Sequence, residues 1–243
     1  MHKPIICAIL AIAIAFGAAS YAPAPARTLS SPAKPAEPHG YLVANYTIHD
    51  QSTYHKYMET AGPLASKYGG KVIIYDVDTR TLEGSPKSVI SIAEFPSVAD
   101  AERFYNSPEY TVARKFRVAS TEGSVLLAES SLPPAIPAGA TNPRGYMIAN
   151  YNINDKATFQ KYMDAAGMLP PKFNGAVTLF DFNARMLEGT PKSVIGVAEF
   201  PSLADAERFY NSPEYTSARK FRIASTEGTV LLAESSAYSQ QYK

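Results

Sequence analysis

The feature that most restricts this chain is that it says the same thing twice. Gly40–Ser131 aligns with Gly145–Ser236 at a constant offset of 105 without a gap, and 62 of the 92 positions are identical. Asn106-Ser107-Pro108-Glu109-Tyr110 returns as Asn211-Ser212-Pro213-Glu214-Tyr215, and Leu82-Glu83-Gly84 as Leu187-Glu188-Gly189. A unit of this length is too long for a solenoid repeat and suits a small domain. Identity is uneven: 42 of 49 positions over Glu83–Ser131, but 13 of 32 over Gln51–Leu82. The second stretch is where the copies have drifted, and so where a difference in ligand would arise.

Two proline-rich stretches flank the copies, Tyr21–His39 before the first and Leu132–Arg144, with four prolines, between them. Both read as extended, semi-rigid spacers. Ahead of them, His2 and Lys3 precede an apolar run from Ile5 to Phe16 and the small residues Gly17, Ala18, Ala19 and Ser20. That is the layout of a secretory signal peptide, with cleavage after Ser20 or after Ala26. The run is short for a membrane span. The expected division is a signal peptide over 1–26, a leader over 27–39, modules over 40–131 and 145–236, a linker over 132–144 and a tail over 237–243.

Removal of the signal takes Cys7, the single cysteine, and leaves no disulfide, thiolate metal site or cysteine nucleophile. It also takes Lys3, leaving 22 basic residues against 22 acidic ones. A nucleic-acid backbone or an anionic membrane needs a basic surface, so neither is an expected partner. The expected location is periplasmic or secreted, with no stable membrane insertion after cleavage.

Within one copy, Tyr41–Ile48 is rich in β-branched and aromatic residues and reads as a strand. Asp50 is a candidate N-cap for a helix whose apolar face is Tyr54, Tyr57, Met58 and Ala61. Gly62-Pro63 interrupts that helix, and Gly69-Gly70 ends it by supplying positive φ. Val72–Val77 and Lys87–Phe95 read as strands two and three, with a turn at Glu83-Gly84. Ser97 with Asp100 has the spacing of a capping box, and Ser107-Pro108-Glu109 is a second helix start. Val125–Glu129 is the fourth strand. The order βαββαβ is the ferredoxin-like split arrangement, so the fold class is α+β. One sheet face is then left without helices and needs a partner. The linker spans at most ~40 Å at ~3.1 Å per residue, enough for the two modules to pair within one chain as an intramolecular dimeric α+β barrel.

Asp50 with Tyr57, Gly69-Gly70, Leu82-Glu83-Gly84, Glu94-Phe95-Pro96-Ser97, Ala101, Tyr105, Ser107-Pro108-Glu109-Tyr110, and Arg114 with Arg117 form a pattern. It resembles that of the domain-of-unknown-function family numbered 1330, over nearly all of both copies. The resemblance implies the dimeric α+β-barrel superfamily, whose members include cofactor-independent monooxygenases, muconolactone isomerases and haem enzymes. Family members are usually single modules that dimerise, whereas this chain fuses two.

Among candidate functional residues, Glu94 and its counterpart Glu199 share a strand face with apolar neighbours, which shifts a carboxyl or calls for a cation. Arg114 and Arg117, with Arg219 and Arg222, are the expected cations, as a structural ion pair or as a bidentate grip on a carboxylate ligand with a glutamate as base. Glu83 and Glu188 are the other acids of interest. Tyr110 and Tyr215 are expected core aromatics whose hydroxyls reach a partner. Asn45 and Asn150, if inward, are buried amides and ligand contacts. His39, His49 and His55 become Arg144, Asn154 and Gln160 in the second copy and read as surface residues. No metal site, cofactor or nucleotide motif is expected. The favoured reading is a protein whose partner is a small apolar or carboxylated molecule held between sheet and helices. A cofactor-independent isomerase or monooxygenase, and a purely structural module, are the alternatives.

Overall fold

The computed structural model describes residues 37–132, 139 and 142–235. The expected signal segment, residues 27–36 of the leader, most of the linker and the tail lie outside the described residues. The first copy runs β1 (His39–Ile48), α1 (Gln51–Ala61), α2 (Leu64–Lys67), β2 (Lys71–Asp76), β3 (Arg80–Glu83), β4 (Val89–Phe95), α3 (Val98–Tyr105), α4 (Pro108–Ser120) and β5 (Thr121–Ser130). The second runs β6 (Arg144–Ile153), α5 (Lys156–Ala166), a 3-10 turn at Pro170–Phe173, β7 (Ala176–Asp181), β8 (Arg185–Glu188), β9 (Val194–Phe200), α6 (Leu203–Asn211), α7 (Pro213–Ser225) and β10 (Thr226–Ser235).

The local signals act as their chemistry dictates. The Asp50 carboxylate accepts from the amides of Ser52 and Thr53 and opens α1. The Ser97 hydroxyl accepts from the Asp100 amide while donating to its carboxylate, and Ser107 caps α4 with Pro108 in the first turn. Gly69 takes φ of 72° after α2, and Asn174 takes 56° at the same place in the second copy. Gly70, expected to share that role, does not; a Cβ there would lie 2.3 Å from the Phe95 ring.

The sheets carry a strand more than the sequence suggests. One has the order β2-β4-β1-β5-β8, the other β3-β10-β6-β9-β7. The short strand of each copy therefore leaves its own sheet and pairs antiparallel with the last strand of the other copy, Val125 opposite Glu188 and Val230 opposite Glu83. Gly84 follows with φ of 68°, and a Cβ there would lie 2.5 Å from the Gly228 carbonyl oxygen. The Leu-Glu-Gly repeat is thus a crossing device: Leu82 packs into the second copy's core, Glu83 reaches its helices, and Gly84 lets the chain pass close to β10.

Strand alternation sorts the rest. On β1, Leu42, Ala44 and Tyr46 face the helices, while Tyr41 and Val43 face the other sheet. On β4, Ile90 and Ile92 join Ile148, Leu179, Ile195 and Leu231 in a core between the sheets. Fully burying each such side chain is worth about 1.5–3 kcal/mol. The uncovered face expected of one module is therefore buried against the other, within one chain.

Candidate functional site

Each module encloses a cavity between its sheet and its helices, and the two differ greatly in size. In the first, Tyr46, Tyr54, Tyr57, Tyr75 and Tyr110 crowd around a space of about 70 Å³ with Arg117 in its wall. Their hydroxyls are chained: Tyr46 to Tyr54 at 2.7 Å, Tyr54 to Tyr75 at 3.1 Å, and Tyr57 to Tyr110 at 3.4 Å. In the second copy Phe159 and Phe180 stand where Tyr54 and Tyr75 do, and Pro170 stands where Ala65 does. The links through Tyr54 and Tyr75 are gone there, while Tyr162 still meets Tyr215 at 3.4 Å, and the cavity is about 540 Å³. Its lining includes Met147, Met163, Phe180 and Phe209, with Tyr162 and Tyr215 as its aromatic polar groups, and Ser130, Ser131 and Leu132 from the end of the first copy complete the wall. Burial pushes the Tyr162 hydroxyl well above the usual phenol range, so it stays protonated and acts as a donor.

Under each cavity lies a clamp made by both copies. Arg117 on α4 donates to Glu188 of β8 at 2.5 Å, and Tyr105 donates to the same oxygen at 2.5 Å. Arg222 and Tyr210 hold Glu83 of β3 in the same way, at 2.6 and 2.7 Å. The arginines are almost wholly buried, with 4% and 3% of their side chains exposed, against 22% and 20% for the glutamates. Burial works to raise the carboxyls of Glu83 and Glu188. Their bonds to arginine and tyrosine overcome it and hold both below the ordinary carboxylate range. The Nε–H of each arginine is buried without a protein acceptor among the described residues. Arg117 Cζ lies 5.9 Å from the Tyr57 ring centre and Arg222 Cζ 5.9 Å from that of Tyr162, so each sits beside an aromatic wall of its cavity.

The structure brings some of the sequence candidates together and separates others. Glu83 and Glu188 join Arg222 and Arg117, a pairing across copies that no local pattern announces. Glu94 is not the partner of Arg114 or Arg117. It lies on the face of β4 that looks between the sheets, opposite to the face the helices cover, and is held by Lys71 at 2.9 Å, His39 at 2.6 Å and Tyr41 at 3.3 Å. Glu199 is likewise held by Arg144 and not by Arg219 or Arg222. Arg114 and Arg219 stack over Tyr105 and Tyr210, at 4.5 and 4.1 Å. Tyr110 and Tyr215 are core aromatics whose hydroxyls meet Tyr57 and Tyr162 at 3.4 Å. Asn45 and Asn150 do point inward, but each amide is occupied by a loop: Asn45 donates to the carbonyls of Lys87 and Val89 and accepts from the Lys87 amide. Asn150 does the same with Lys192 and Val194. His49 and His55 are exposed as expected, whereas His39 is drawn to Glu94. The cavity-lining Tyr57, Phe180 and Met163 escaped notice as site residues because their spacing or strand context reads simply as apolar core. Among the described residues no cluster of three or more His, Cys, Asp or Glu is placed to hold a metal, and no helix is long and apolar enough to cross a membrane.

Residues 39–131 and 144–236 both match the family described as Domain of unknown function (DUF1330). The chain belongs to that family. Its two DUF1330 modules fill the described part of the protein almost completely. Among curated proteins no sequence matches the chain. Similar solved structures include an anthrone oxidase-like protein, at 16% identity over 82% of this chain and 94% of that one, TM-score 0.46. A chlorite dismutase variant from Candidatus Nitrospira defluvii is similar at 12% identity over 83% and 92%, TM-score 0.49. A dimeric protein of unknown function and ferredoxin-like fold from Bacteroides fragilis covers 37% of this chain and 95% of its own, at 15% identity and TM-score 0.29. At these identities the likeness of the DUF1330 pair to them is one of fold alone.

Proposed function

We propose that this protein is exported and binds a small, largely apolar molecule in the second module, between sheet and helices. The observation that carries the binding reading is the 540 Å³ cavity, which falls within the range of small-molecule sites at roughly 300–1,000 Å³. Its walls are mostly apolar, and the Tyr162 and Tyr215 hydroxyls supply a few polar contacts for orientation. Binding is favoured over turnover because the polar groups in the wall are phenols and serines, poor proton acceptors at neutral pH. Export is supported by the basic, apolar and small-residue succession of the first 26 residues; cell fractionation with N-terminal mass analysis tests it, and full-length chain retained in the cytoplasm refutes it.

The binding test uses the neutral fluorophore N-phenyl-1-naphthylamine on the full chain. Ala198 is buried in the cavity wall, so Ala198→Leu fills it, while Ala93→Leu is the matching change in the first module. The expected result is saturable binding that Ala198→Leu weakens about tenfold or more, the scale of losing 1.4 kcal/mol, and that Ala93→Leu leaves unchanged. Equal loss in both variants, or none in either, overturns the assignment.

A further inference from the structure

A separate cavity of about 220 Å³ lies between the two sheets, near one end of the barrel, with Glu94 and Glu199 in its walls. The duplication provides an internal reference for it. Lys71 is paired in register with Glu94 on the neighbouring strand, and Ala176 is paired in the same way with Glu199. The Lys71 ammonium donates to Glu94 Oε2, while His39 and Tyr41 donate to Oε1, so both oxygens are satisfied. Glu199 is as deeply buried, with 9% of its side chain exposed, yet its one partner among the described residues is Arg144 on Oε1. Its Oε2 has none, and a methyl group stands where the first copy has an ammonium. Leu179 and Val197 form an apolar floor beside it, and the buried Tyr146 lines the same space.

We propose that this cavity binds a small primary alkylamine, whose ammonium sits beside Glu199 as the Lys71 ammonium sits beside Glu94 and whose alkyl chain lies on Leu179 and Val197. The two carboxyls already respond as the difference in partners requires. Burial works to raise both; Lys71 and His39 overcome it at Glu94, which is lowered, while Arg144 alone does not at Glu199, which is raised. Three donors at Glu94 against one at Glu199 separate them, and an ammonium brings a further donor with charge-assisted hydrogen bonds. The site is distinct from the sheet–helix cavity and does not depend on it.

The test is calorimetric titration of the full chain at neutral pH with n-butylammonium chloride, with n-butanol as the uncharged probe of the same chain length. Saturable binding of the amine is expected, about tenfold or more tighter than the alcohol, as loss of a hydrogen bond to a charged group implies. Glu199→Gln is expected to remove that preference. Ala176→Lys, which supplies the ammonium from the chain itself, is expected to weaken amine binding about tenfold or more by the same reasoning, with folding checked by thermal melting. Absence of saturable amine binding to the unmodified chain, or equal binding of amine and alcohol, overturns the proposal whatever the variants do. So does a folded Ala176→Lys protein that binds amine as before.

Discussion

The two cavities share a backbone plan and nearly the same helices, yet one is almost filled and the other is open. Tyr54 and Tyr75 close the first by linking their hydroxyls to each other and to Tyr46. Phe159 and Phe180 lack the oxygen that would draw them together, and Phe180 instead meets the half-exposed Phe182 edge to face, with ring centres 4.9 Å apart. Removing two hydroxyls thus does more than subtract hydrogen bonds; it lets the aromatic wall rearrange. Beneath both cavities the arginine clamps are nearly identical, because each depends on residues in the stretch where the copies agree. The shared half of the module thus builds the assembly, and the drifted half sets what each cavity admits.

The largest expected effect tests the shared part. Arg117→Ala takes the cation from Glu188 and leaves it to Tyr105, and Arg222→Ala takes the cation from Glu83 and leaves it to Tyr210. Breaking a buried ion pair from one side costs about 3 kcal/mol or more, and the two variants are expected to lose similar amounts in urea unfolding. A loss confined to one would break the symmetry claimed for the clamps. Next, Tyr54→Phe is expected to cost about 1–2 kcal/mol, since its hydroxyl meets two others in a buried chain. Phe159→Tyr, whose new hydroxyl would meet Tyr151 but no counterpart of the Tyr75 hydroxyl, is expected to stabilise by less than Tyr54→Phe costs, about 1 kcal/mol at most.

Smaller differences separate the paired carboxylates. Glu94 is lowered below 4.5, so its stabilising contribution is present above that value and is lost as pH falls through its folded-state pKa. Glu199 is raised above 4.5, so its contribution is present below that value and lost as pH rises through its folded-state pKa. At neutral pH Glu94→Gln is therefore expected to destabilise by about 1 kcal/mol, while Glu199→Gln is neutral or stabilising by a few tenths, roughly the scale of one hydrogen bond. Thermal melts across pH 3–7 check both signs. The smallest effect is expected at His55, whose exposed pairing with Glu59 at 3.2 Å is worth about 0–0.5 kcal/mol; His55→Ala should melt with the unmodified chain.

Much of this architecture is legible before any coordinates. Caps at Asp50, Ser97 and Ser107, the Gly62-Pro63 break and the βαββαβ order follow from local chemistry. The exchanged strands are not legible, because Arg80–Glu83 is four residues long and pairs only with a strand distant in sequence. The Glu94 to Arg117 pairing fails for a simple reason: strand alternation puts that glutamate on the face away from the helices. The stretch Gln51–Leu82, where identity falls, does mark the cavity difference, since Tyr54, Ala65 and Tyr75 all lie within it. What the sequence lacks is the consequence, because whether two aromatic rings close over a space depends on the far wall.

Native mass spectrometry of the full chain with N-phenyl-1-naphthylamine tests the central claim, that two paired but diverged modules in one chain offer one open cavity. A single-chain mass carrying one fluorophore is the expected result. A two-chain mass, or one chain carrying two equivalent fluorophores, contradicts it.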